Sequence, residues 1–182
     1  AMNGDRAVTC SPDGRFLGWS TRASSGFTPP VAVPMPEGAT CGAMVVTGGS
    51  PPEVLVVLQN AGISTLDRLV LGVDGPVWST PATPSLPAAP DVLRLFDLDH
   101  DGLDDLLLGG PFGVRVWRGA APMAGQARFV EEAVLPSRTA RTFDVLPFDV
   151  DEDGALDLLT AGDGQDALFV NDGFGHFFDD AF

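Results

Sequence analysis

Lysine is absent from the chain: all ten basic residues are arginines, and against 25 acids they leave a net charge of −15 over 182 residues. That imbalance argues against nucleic acid as a partner, because phosphate backbones are held by basic surfaces. Histidine is nearly absent as well, and cysteine occurs only at Cys10 and Cys41. Neither type forms a His-Glu-x-x-His or Cys-x-x-Cys motif, and there is no Gly-x-Ser-x-Gly elbow or phosphate loop, so no recognised catalytic set is offered. Apolar runs are short; none approaches the roughly 18 residues a membrane helix requires, and no membrane insertion is expected. No stretch carries a convincing helical period. What the chain has in abundance is turn-formers, 22 Gly and 16 Pro, within a composition that is 45% apolar. Those proportions predict a compact all-β fold with a sizeable core.

The acids are not spread evenly. Asp97 to Asp105 reads DLDHDGLDD and Asp149 to Asp157 reads DVDEDGALD, one pattern, D-x-D-x-D-G-x-x-D, that runs each time into an apolar stretch, LLLGG or LLTAG. In a tightly curled loop the side chains at positions 1, 3 and 5 turn toward one point, which gathers Asp97, Asp99 and Asp101 in one loop and Asp149, Asp151 and Asp153 in the other. Gly102 and Gly154 permit the sharp turn, the carbonyls of Leu103 and Ala155 can face an ion, and Asp105 and Asp157 return from the start of the next strand. Such a hard, all-oxygen set suits Ca²⁺, which takes roughly six to eight oxygens, better than Mg²⁺. Without a cation, four carboxylates this close would repel one another and raise their pKa values. Two Ca²⁺ sites are therefore expected, and two bound ions would bring the net charge to about −11. Position 12 holds Leu108 or Thr160 where an EF-hand needs a bidentate acid, and the residues before it are strand-like, which excludes that motif. Asp- and Gly-rich turns are common between strands; the argument for metal rests on two complete copies.

These loops resemble the FG-GAP repeat of integrin α-subunit β-propellers and its bacterial relatives, the VCBS repeats. The likeness extends to DLLLGGPFGVRVWRG at Asp105 to Gly119, with Phe112-Gly113 in a Gly-rich turn, and to LDLLTAGDGQDALFVNDGFGHFFDDAF at the end, where an Asn-Asp-Gly turn precedes an aromatic-rich strand. The resemblance implies propeller-type blades of four antiparallel strands, with the calcium loop joining two neighbouring strands of a blade. Integrin-type propellers have seven blades.

The two loops start 52 residues apart, at Asp97 and Asp149, a spacing that suits one blade. One period before Asp105 stands Glu53, followed by VLVVLQ, while the preceding VVTGGSPPE lacks the aspartates, as in a repeat without metal. A degenerate unit begins near Asp5, with AVTCSPDGRFLGW reading as strand, Asp13-Gly14 turn and strand. The chain is thus one propeller-like domain, residues 1–182, of about four units: 5–38, 39–87, 88–137 and 138–182. Seven such blades would need about 360 residues, so a small closed propeller, or half of a larger one that self-associates, is expected over an open monomer. The Pro-rich segments Thr28 to Pro36 and Pro76 to Pro90 read as connections between strands or blades, or as loops on a binding face.

Cys10 and Cys41 lie in the first strands of adjacent units and are either one disulfide or two buried thiols. No signal peptide opens the chain, and the Ala1-Met2 start reads as a remnant left where a native leader was removed. Modest-affinity calcium modules work where calcium is plentiful, so a secreted, periplasmic or cell-surface location is expected. His100, at position 4 of the first loop, and His176, in the last turn, are expected to be solvated. Phe112, Trp117, Phe169, Phe174, Phe177 and Phe178 are expected in the packing between blades, Trp19 and Trp78 are open to stacking on a sugar or peptide, and Arg115 and Arg118 are the cationic candidates for an acidic partner.

The leading functional expectation is a non-catalytic, calcium-stabilised extracellular recognition or adhesion module with a protein or carbohydrate ligand. The alternatives are a propeller enzyme with its site in the central channel and a domain that only builds a larger assembly.

Overall fold

The computed structural model describes residues 2–3, 6–47, 53–72, 75–79, 85–121, 128–136 and 141–180. Every regular element among them is a β-strand, and the sheets are all antiparallel. No helix of the described residues is long and apolar enough to cross a membrane. The chain falls into two compact units, Ala1–Pro81 and Ala82–Phe182, each carrying two sheets.

In the first unit one sheet comprises β1 (Met2–Asn3), β2 (Arg6–Cys10), β3 (Leu17–Ala23), β4 (Gly26–Phe27) and β5 (Val31–Val33). It has five strands where four were expected, because the outermost position is split. β4 pairs with Arg22 and Ala23, β5 pairs with Leu17 to Trp19, and Thr28-Pro29-Pro30 separates them, since proline cannot donate to a ladder. The first Pro-rich segment is therefore partly a strand. The Asp13-Gly14 turn joins β2 and β3, with Asp13 accepting hydrogen bonds from the Ser11 hydroxyl and the Arg15 N–H.

The second sheet runs β6 (Thr40–Val46), β7 (Glu53–Asn60), β8 (Ile63–Gly72) and β9 (Gly75–Ser79). Val54 to Leu58 are all buried, as a continuous apolar run requires of a strand covered on both faces. Pro76 falls in β9, an edge strand, where a missing donor costs least; the remainder of that Pro-rich stretch at 80–84 lies outside the described residues. Val8, Leu17 and Val33 pack with Val54, Val56, Leu58 and Leu69 into one core, against which Trp19 and Trp78 also lie. The Trp78 indole N–H donates to the Pro34 carbonyl at 2.6 Å. Both tryptophans are half-buried against this core. A disulfide joins Cys10 of β2 to Cys41 of β6, tying the two sheets.

The second unit carries β10 (Val92–Phe96), β11 (Asp105–Gly110), β12 (Gly113–Gly119) and β13 (Phe129–Leu135) in one sheet, and β14 (Thr142–Phe148), β15 (Asp157–Gly162), β16 (Ala167–Asn171) and β17 (Phe177–Asp180) in the other, each in sequential order. Val145, Leu158, Ala167 and Phe169 of the last sheet pack on Leu107, Val114, Val116 and Leu135 of the one before. Pro147 is tolerated because β14 pairs only with β15 and is an edge. Of the aromatics expected in packing, Trp117 and Phe169 are fully buried and Phe112 and Phe177 half-buried. Phe174 and Phe178 are instead 68% and 60% exposed: the first caps a turn, and the second lies on the outer strand, on the face turned away from the neighbouring sheet.

Candidate metal centres

Each acidic loop joins the first two strands of its sheet, and the two are built alike. In the first, Asp97 accepts the N–H groups of Asp101 and Gly102 at 3.1 and 3.0 Å, Asp99 accepts that of Asp101 at 3.2 Å, and Asp101 accepts that of Leu103 at 2.8 Å. In the second, Asp149 accepts from Asp153 and Gly154 at 3.1 and 3.0 Å, Asp151 from Asp153 at 3.3 Å, and Asp153 from Ala155 at 2.8 Å. Gly102 and Gly154 sit at φ +86° and +94°, a left-handed conformation that costs other residues a Cβ clash. His100 and Glu152, at position 4 of their loops, share φ near +60° and are exposed.

The acid at position 9 does a different job from the rest. Asp105 and Asp157 are buried, and each bridges three chain segments. Asp105 accepts the N–H of Leu98 at 2.9 Å and of Gly119 at 2.7 Å; Asp157 accepts those of Val150 and Asn171, both at 2.8 Å. The loop entrance and the end of the third strand are thereby pinned to the head of the second. A Cβ on Gly119 would lie 2.5 Å from the Asp104 carbonyl oxygen, so only glycine fits there. In the last sheet the same place is held by Asn171, whose amide donates to the carbonyls of Leu98 and Leu156 at 2.8 and 3.1 Å. Its carbonyl oxygen accepts the N–H groups of Gly173 and Gly175. Fully buried and fully bonded, Asn171 fastens the first loop to the turn at the far end of the next sheet.

Carboxylate oxygens of Asp97, Asp99 and Asp105 lie within 4.8 Å of one another, as do those of Asp149, Asp151 and Asp153. The structure thus gathers three of the four expected carboxylates in each loop, leaving out Asp101 in one and Asp157 in the other. Leu103 and Ala155 close the loops through their N–H groups. Burial pushes the Asp105 carboxyl above the usual carboxylate range; the charges of Asp99 and Asp101 add to this, and the two N–H groups it accepts oppose it. Each carboxylate oxygen offers two acceptor sites, so the loop hydrogen bonds leave donor capacity for a cation. All-oxygen, acid-rich and strained by like charge, both loops fit a hard divalent ion.

The two arginines beside Trp117 are not simple surface cations. Arg118 pairs with Asp99 at 2.9 Å and donates to the Phe174 carbonyl at 2.8 Å, and the Arg115 guanidinium lies over the Phe112 ring, 5.6 Å from its centroid. His176 is exposed but bonds Asp172 at 2.9 Å. Sequence reasoning missed Asn171 and the anchoring role of Arg118. The Asn-x-Gly-x-Gly spacing was the available signal for the first; the second depends on a contact between sheets.

The class these features define is an all-β repeat protein of antiparallel sheets, the last two of which carry an Asp-rich loop between their first two strands. Residues 97–160, from the first loop into β15, match the family model described as FG-GAP-like repeat. No curated protein and no solved structure matches the chain.

Proposed function

We propose that this chain is a calcium-stabilised, non-catalytic recognition module of the β-propeller kind that works outside the cytosol, in a secreted, periplasmic or cell-surface setting. The observation that carries the reading is the pair of loops with the same hydrogen-bond set and converging carboxylates. Ca²⁺ would be held by Asp97, Asp99, Asp101, Asp105 and the Leu103 carbonyl in one loop, and by Asp149, Asp151, Asp153, Asp157 and the Ala155 carbonyl in the other, and it would supply charge neutralisation and rigidity. Rigid loops of this kind present neighbouring surfaces to a protein or carbohydrate ligand. The Cys10–Cys41 disulfide favours an oxidising compartment.

Self-association to complete a propeller has its own support. On the last sheet, Leu146, Leu159 and Leu168 stand opposite one another in register, and Phe148 and Phe178 lie beside them. Leu146 is 49% exposed there, although the opposite face of the same sheet is packed. A further sheet from a second copy would cover this face as the last sheet covers its predecessor.

Glycan-array and pull-down screening in millimolar Ca²⁺ tests the recognition role, with light-scattering mass for the assembly. Selective, calcium-dependent capture of one ligand class is expected; turnover of a substrate with no partner retained would overturn the reading.

A further inference from the structure

The two loops hold the same number of acids within their nine residues, five each: Asp97, Asp99, Asp101, Asp104 and Asp105 against Asp149, Asp151, Glu152, Asp153 and Asp157. Their backbone geometry is the same. Besides the placement of one acid, Asp104 in the first and Glu152 in the second, they differ in one basic residue. Arg118, from the end of β12, places its guanidinium on Asp99 at 2.9 Å. The same group is held from the other side by the Phe174 carbonyl at 2.8 Å. The Asp99 side chain is only 7% exposed, so this is a seated cation and not a loose surface pair. Room for it depends on Gly175, where a Cβ would come within 2.8 Å of the guanidinium.

The position 52 residues on, at the same place in β16, is Val170. The match is structural as well, since the next residue in each strand, Gly119 or Asn171, donates its N–H to the position-9 acid. Among the described residues no ion pair reaches Asp149, Asp151 or Asp153, and all three are exposed.

We infer that Arg118 is a tethered counter-ion of the first loop, which makes that loop the weaker of two unequal calcium sites. The inference rests on the calcium reading above. Two effects act together: the guanidinium engages an Asp99 oxygen that would otherwise face the ion, and its charge opposes a divalent ion beside it. A unit positive charge a few ångströms away in a water-like medium weakens divalent binding by on the order of tenfold. Because Arg118 also holds the 171–175 turn, calcium entering the first loop must loosen that hold, whereas nothing comparable resists it in the second.

Calorimetric Ca²⁺ titration of the full chain, repeated on Arg118→Val, Arg118→Gln and the reciprocal Val170→Arg, separates the possibilities. The expected result is two sites about tenfold apart, the weaker lost in Asp101→Ala and the tighter lost in Asp153→Ala. Either Arg118 variant should bring the weaker site close to the tighter one, and Val170→Arg should weaken the tighter site by about tenfold. Val170 is half-buried on the less covered face of its sheet, so this last variant decides the matter even if the Arg118 variants fail to fold. Two equal sites in the native chain, or affinities indifferent to both substitutions, would overturn the inference while leaving the calcium reading intact. No calcium uptake by the native chain or any variant would overturn the calcium reading itself.

Discussion

The two compact units hold their sheets together by different chemistry. In Ala1–Pro81, an apolar core is reinforced by a covalent bond between β2 and β6, and the Gly14 carbonyl accepts the Cys41 N–H at 2.6 Å beside it. In Ala82–Phe182 a core of similar make-up is reinforced by polar crosslinks: Asn171 to Leu98, Arg118 to Asp99 and Phe174, Arg94 to Asp144, and Arg141 to Asp91. Even the acid that heads the second strand is treated differently. Glu53, one period before Asp105, is neutralised by Arg68 at 3.3 Å, while Asp105 is pinned by backbone N–H groups. In the first unit an arginine and a disulfide do the fastening; in the second, each Asp-rich loop brings three carboxylates within 4.8 Å of one another.

Removing the disulfide is the sharpest way to test that contrast. Cys10→Ala with Cys41→Ala should destabilise the chain by about 3 to 4 kcal/mol, the loop-closure entropy of a crosslink this far apart in sequence. The loss should fall on the first unit, read by hydrogen exchange across β2 and β6, with strands β10 to β17 unchanged. Asn171→Ala makes the opposite cut. It strands buried carbonyls at Leu98 and Leu156 and removes the acceptor for two turn N–H groups, for a loss of about 2 to 4 kcal/mol in urea denaturation, confined to the second unit.

Smaller effects test whether the two acidic loops are the same object. Gly102→Ala and Gly154→Ala meet open space at the new Cβ but a left-handed backbone, so each should cost about 1 to 2 kcal/mol, and the two losses should be nearly equal. His100→Asn and Glu152→Asn should each gain a few tenths of a kcal/mol, since Asn tolerates that conformation better. The least change is expected at the Asp172–His176 pair. The hydrogen bond from His176 holds the Asp172 carboxyl below its ordinary 3.8. A depressed folded value contributes stability that is present above the unfolded value and lost as pH falls through the folded one. Asp172→Asn should therefore lower stability slightly at neutral pH and flatten the acid limb of the profile below about pH 4, where the native chain loses the same contribution.

Much of this was legible in the chain. Alternating or continuous apolar runs bounded by Gly, Pro and Asp mark β10 to β12 and β14 to β17, because the D-x-D-x-D-G turn fixes where each strand begins. The 52-residue period places β7 behind Glu53 for the same reason. The first sheet was harder to read, since its outer strand is cut by Pro29-Pro30 and no acidic turn sets the register. Exposure of Phe174 and Phe178 was not legible, because an aromatic in a repeat looks the same whether or not another sheet covers it. Asn171 and Arg118 act between sheets, and contacts at a separation of 56 or 73 residues leave no local pattern.

The most direct test of the account is thermal unfolding of the intact chain in EDTA and then in Ca²⁺ at about 100 times its dissociation constant. Two occupied sites should add roughly 2.7 kcal/mol each by mass action, and for a chain of this size that corresponds to a rise on the order of 10 °C or more. A rise of that order, reversed by chelator, is the predicted result. An unfolding temperature indifferent to Ca²⁺ would show the acidic loops to be turns alone and would contradict the account.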